Sequence, residues 1–145
     1  MRAEEQLQVI EALTPALTDA SDDIRKQALH CLVGFGPDGL GRIVDVLDDE
    51  KASVQAKRDA AHAIGEAFSE GKVEKSGIVK VALKALEKAL ESADLCESAA
   101  VALGAIGPAA VVAKPKLLAL LDGKRGNNEL CVKIGAALLA ISPIN

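Results

Sequence analysis

The chain aligns with itself, and this constrains its fold more than any other feature. Residues 24–37 (Ile24-Arg25-Lys26-Gln27-Ala28-Leu29-His30-Cys31-Leu32-Val33-Gly34-Phe35-Gly36-Pro37) match residues 95–108 (Leu95 to Pro108) without a gap. A third copy, Leu130 to Pro143, keeps the same spacing with Ser142 in place of the glycine, and a weaker one runs from Ala56 to Phe68. Equivalent positions are Ala28, Ala60, Ala99 and Ile134, at intervals of 32, 39 and 35 residues. Periods of this size mark arrays in which one unit cannot bury its apolar face alone and must stack on the next.

Within each copy, apolar or small residues fall at i, i+4, i+7, i+8 and i+11, as in Ile24, Ala28, Cys31, Leu32 and Phe35, which is one face of an α-helix. Composition agrees. Alanine and leucine together fill 45 of 145 positions while aromatic residues are 1% of the chain, which disfavours a sheet. The Gly-Pro after Phe35 and after Ile106 ends one helix and opens another, since glycine suits a left-handed cap and proline a first turn. The spacing therefore predicts second helices over roughly 4–17, 38–48, 74–91 and 109–121. Short polar links precede the repeated helices, with Ser21 or Asp22, Ser53, Ser92 and Asn127 or Asn128 as expected N-caps. The expectation is all-α, with about eight helices in four hairpins. The second copy departs from the pattern, carrying Glu70 to Gly77 where Gly-Pro would stand.

The run Ala99-Ala100-Val101-Ala102-Leu103-Gly104-Ala105-Ile106-Gly107-Pro108, with acidic links and the pair Ile24-Arg25, resembles bacterial HEAT-like repeats of the phycobilin-lyase type. The aromatic anchors of tetratricopeptide repeats and the Thr-Pro-Leu-His of ankyrin repeats are missing. The resemblance spans nearly the whole chain. It implies a right-handed α-solenoid of about four hairpins over 1–145 as a single domain, alone or as a segment of a longer array, whose second helices line a concave surface. It does not select a function, because that architecture hosts scaffolds, lyase subunits, a metal hydroxylase and DNA-repair enzymes.

Chemistry narrows the field. Net charge is −4, divided as −6 over residues 1–75 and +2 over residues 76–145, which argues against a general nucleic-acid or anionic-membrane binder. Lys124-Arg125 cannot replace the basic, aromatic-lined groove of a repair glycosylase in a chain with two Phe and no Trp or Tyr. No stretch reads as a membrane span, the N-terminus lacks a signal-peptide pattern, and three widely spaced cysteines suit a reducing compartment, so the expected location is cytoplasmic. His30 and His62 read as surface residues, and neither is followed by the Glu of the hydroxylase's His-Glu iron ligands, so no metal is expected. Cys31 aligns with Ala63, Ala102 and Ala137 and reads as a core packing residue. Cys96 and Cys131 share one position of the repeat, but a disulfide between separate helices is not expected. The residues assemble no nucleophile set and no phosphate loop, so neither catalytic nor cofactor-binding residues are assigned.

Lys80, Lys84 and Lys88 recur at i, i+4 and i+8 along one polar helix face, with Lys116 on the next such helix and Asp38, Arg42 and Asp45 on the preceding one. Glu87 and Glu91 lie near enough for ordinary ion pairing along the helix. These seven residues are the expected partner-binding set of a non-enzymatic scaffold that takes a protein or peptide. A phycobilin-lyase-like subunit or chaperone-like enzyme component is the alternative from the resemblance. A second alternative is self-association through the last helix, where Leu130, Val132, Ile134, Leu138, Leu139 and Ile141 leave little polar surface.

Overall fold

The computed structural model describes residues 1–71, 77–123 and 127–144. Among these residues every regular element is helical: α1 (Ala3–Leu13), α2 (Asp22–Gly34), α3 (Pro37–Asp48), α4 (Val54–Ser69), α5 (Ile78–Ala89), α6 (Cys96–Ile106), α7 (Lys114–Gly123) and α8 (Asn128–Ile141). Two 3₁₀ segments, Thr14–Thr18 and Gly107–Ala113, follow α1 and α6 directly. The described residues thus hold seven uninterrupted helical runs, fewer than the eight separate helices expected, because α6 passes into α7 with no non-helical residue between them.

Proline explains both 3₁₀ segments. The expected helices over 4–17 and 109–121 contain Pro15 and Pro115, each of which lacks an N–H and clashes with the carbonyl four residues earlier. The α-ladder stops at Leu13 in the first case and is postponed to Lys114 in the second. The expected start of the 74–91 helix falls on residues outside the described set, and α5 begins at Ile78.

Caps follow the expected chemistry in three of four places. Ser21 accepts from the Ile24 N–H, Ser53 from Ala56 and Asn127 from Leu130. Ser92 does not cap α6. Its backbone carbonyl instead takes the Leu95 and Cys96 N–H groups in a turn. Gly36 and Gly107 have positive φ, 69° and 76°, as the Gly-Pro reading requires, but their ψ values of −141° and −145° lie far from the left-handed helical region. That combination is essentially restricted to glycine.

Two rows result. The even helices pack serially, α2 on α4, α4 on α6 and α6 on α8, while α3 packs on α5 and α5 on the 3₁₀ segment before α7. Leu32, Leu40, Ile43, Ile64, Leu86, Leu103, Leu117 and Ile134 are fully buried in the core they enclose. Small residues let the even helices approach closely. A Cβ added at Gly65 would lie 3.2 Å from the Ala102 Cα, and one at Gly104 would lie 3.0 Å from the Ala137 Cα. Gly39 is tighter still, with the Leu32 carbonyl oxygen 1.9 Å from an added Cβ.

Arg25 is the one buried charged residue among those described. Its guanidinium donates to the Asp59 carboxylate on α4 (3.1 Å), to the carbonyls of Asp19 (2.7 Å) and Ala20 (3.2 Å), and to Asp22. It therefore ties the first acidic link to both α2 and α4. Farther along the row, Arg58 donates to the Asp94 carbonyl at 3.0 Å, and Lys133 on α8 pairs with Glu97 on α6.

One sequence expectation is overturned. Cys31 is exposed, whereas Ala63, Ala102 and Ala137 at its repeat position are buried. Those alanines face the preceding even helix, and α2 is first in the row. The run Cys96–Gly123 is 28 residues long and reaches a mean hydropathy of 1.6, so by length and composition it qualifies as a candidate span that the sequence reading did not foresee. It is not one straight helix. Gly107, with its φ of 76°, turns it, so that α6 packs on α4 and α8 while the 3₁₀ segment that follows packs on α8 and α5. All three cysteines are thiols, and Cys96 is buried with its sulfur 3.5 Å from the Ala93 carbonyl.

Candidate functional site

The seven expected residues do not converge on one place. Asp38 and Asp45 are exposed and Arg42 is half-buried on α3, while Lys80, Lys84 and Lys88 are exposed on α5 and Lys116 on α7. Three of them line one cavity of about 470 Å³: Lys84, Lys88 and Lys116, together with Asp48, Val81, Ala85, Glu87 and Glu91. Helical spacing explains the selection. Lys84 and Lys88 are one turn apart, and Asp48 at the end of α3 comes up beside them because α3 packs on α5. Lys80 lies a turn too early, and Asp38, Arg42 and Asp45 precede the end of α3.

Ion pairing runs between helices. Lys88 Nζ lies 3.9 Å from Asp48 Oδ1, and Lys116 Nζ lies 3.6 Å from Glu91 Oε1. The pairing along α5 anticipated for Glu87 and Glu91 does not form: Glu91 pairs across to Lys116, and Glu87 makes no ion pair among the described residues. Both pairs are substantially exposed, so each contributes at most about 1 kcal/mol and leaves its members free to exchange partners. Lys84 makes no ion pair among the described residues. Glu87 is half-buried, and its Oε1, shielded from solvent, has no hydrogen-bond partner. A shielded acceptor without a donor costs free energy until something donates to it.

The charged cavity continues into an apolar one. Glu91 and Lys116 also border a hollow of about 270 Å³ lined by Leu90, Ala119, Leu120 and Gly123. Sequence reasoning found the lysines from their periodicity. It missed Asp48, Val81 and the apolar hollow, because a surface assembled from three helices leaves no local pattern in any one of them.

His30 and His62 are exposed, as their position on the repeat suggests. They line a different hollow of about 400 Å³, where His62 Nε2 approaches Glu66 Oε1 at 3.1 Å. Among the described residues no three His, Cys, Asp or Glu side chains are grouped so as to hold a metal ion. Lys124-Arg125 falls outside the described residues. No family model, curated protein or solved structure matches the chain.

Proposed function

We propose that the protein is a non-enzymatic interaction module, a HEAT-like right-handed α-solenoid whose odd-helix surface takes a peptide segment of a partner protein. The observation that carries this reading is the two-part groove: a charged section with loosely paired lysines and the donorless Glu87 oxygen, opening into the apolar hollow at Leu90 and Leu120. A peptide carboxylate meets Lys84, a peptide N–H donates to Glu87, and an apolar side chain enters the hollow. Without Trp or Tyr the surface lacks the usual energetic anchors, so a single peptide binds with modest affinity.

The serial packing of even helices and the small residues at Gly65 and Gly104 support the solenoid reading. The partner-binding set narrows to Lys84, Lys88 and Lys116, with Lys80, Asp38, Arg42 and Asp45 as its flanks. Selection of a random twelve-residue peptide library on the immobilised protein, followed by titration of the enriched peptides, tests the proposal. Enriched sequences should combine an acidic with an apolar residue, and the Lys84→Glu/Lys88→Glu double variant should bind them roughly tenfold or more weakly, a loss of about 1.4 kcal/mol. Equal affinity for the double variant, or no enrichment, would overturn the site.

A further inference from the structure

Charge is unevenly spread along the groove. Two of its lysines are matched, Lys88 with Asp48 and Lys116 with Glu91. What remains is Lys84, without an ion pair among the described residues, and Glu87, whose shielded oxygen has no donor. Both belong to α5 and line the same cavity, but they stand at different distances from the apolar hollow. Leu90 lines that hollow, and Glu87 precedes it by three residues and Lys84 by six. At a rise of about 1.5 Å per helical residue, these are about 4.5 Å and about 9 Å along the axis. The groove therefore passes from an apolar end, through a net negative middle, to a net positive end.

The occupant that complements this order carries an apolar side chain, a cation close beside it and an anion farther on. We propose that the partner segment enters by its free N-terminus, with an apolar first residue and an acidic third residue. This rests on the peptide-groove reading and adds the polarity of the peptide within it.

The ammonium and the side chain of a first residue spring from one Cα, so a single residue fills the hollow and donates to the Glu87 carboxylate. Such a charge-assisted donor is about twice as strong as a neutral peptide N–H. A lysine or arginine next to an internal apolar residue cannot replace it, because successive side chains of an extended peptide point to opposite faces. The third side chain returns to the face of the first about 7 Å farther along, where an acidic residue and Lys84 meet through their flexible stems. The opposite polarity fails on charge. A C-terminal carboxylate beside the hollow would face Glu87, and Lys84 would be left without an anion.

Titration of the full chain with the hexapeptide Leu-Ala-Glu-Ser-Ala-Ser, amidated at its C-terminus, tests the polarity when set beside the same peptide acetylated at its N-terminus. The free form should bind about tenfold or more tightly than the acetylated form. Glu87→Gln, a change of nearly equal volume whose fold is checked by thermal melting, should weaken the free peptide by a similar factor and leave the acetylated one unchanged. Moving the glutamate to the second position, where it faces away, should also weaken binding. Equal affinity for free and acetylated peptides would overturn the N-terminal polarity while leaving the groove itself standing. Binding of neither form would overturn the polarity as well, and the library selection with the Lys84→Glu/Lys88→Glu variant then decides separately whether the groove reading falls with it.

Discussion

The even and odd helices meet their neighbours by different means. Between α4 and α6, and between α6 and α8, glycine and alanine bring backbones almost into contact, and Arg25, Arg58 and Lys133 bridge one unit to the next. Along the odd row, α3, α5 and α7 leave hollows between them, lined by lysines and carboxylates that pair loosely across the gap. The contrast teaches how one repeat divides its labour. Close backbone contact is sensitive to single atoms, and loosely paired exposed charges can be altered with little effect on folding.

Arg25→Met should break the comparison most severely, because it removes the cation paired with the partly buried Asp59 and the donor to the Asp19 and Ala20 carbonyls. The expected loss is about 3–5 kcal/mol of unfolding free energy, measured by chemical denaturation. Next, Gly104→Ala forces a Cβ to 3.0 Å from the Ala137 backbone and should cost about 1–3 kcal/mol, even though alanine is the better helix former. The same change at Gly135, on the open face of α8, should instead stabilise the chain by about 0.5–1 kcal/mol. Equal effects at the two glycines would erase the distinction between filled and open seams. The smallest effect is electrostatic. The hydrogen bond from Lys133 to Glu97 holds the lysine pKa above its usual 10.5. Its contribution is present below that pH and fades as pH rises through the raised value. The difference in melting temperature between wild type and Lys133→Met should therefore shrink on going alkaline past 10.5, and a difference independent of pH would count against the ion pair.

Legibility in the sequence followed the range of the interaction. The helical stripe of α2, the caps at Ser21, Ser53 and Asn127, and the Gly-Pro junctions at Gly36 and Gly107 rest on contacts within a few residues, so spacing alone exposed them. Pro15 and Pro115 are equally visible, yet the expected helices run through them, because the apolar periodicity continues past each proline and hides the missing N–H. Burial of Arg25 could not be foreseen from its neighbours. Lys57 and Cys96 occupy the same position of the repeat, and it takes the Asp19 and Ala20 carbonyls and Asp22 together with Asp59 from α4 to make a buried guanidinium tolerable. In the candidate site the lysine stripe on α5 was legible, while Asp48, Glu87's shielded oxygen and the Leu90–Leu120 hollow were not.

By itself, then, the sequence determined that the chain is helical, where most helices begin and end, and which face of each is apolar, since backbone hydrogen bonding and side-chain periodicity act locally. Only the tertiary structure decided which positions of a repeated motif are filled and which are open. Cys31 and Ala63, or Gly104 and Leu139, hold equivalent places in the repeat, and their burial differs because one member of each pair has a neighbouring helix to meet and the other does not.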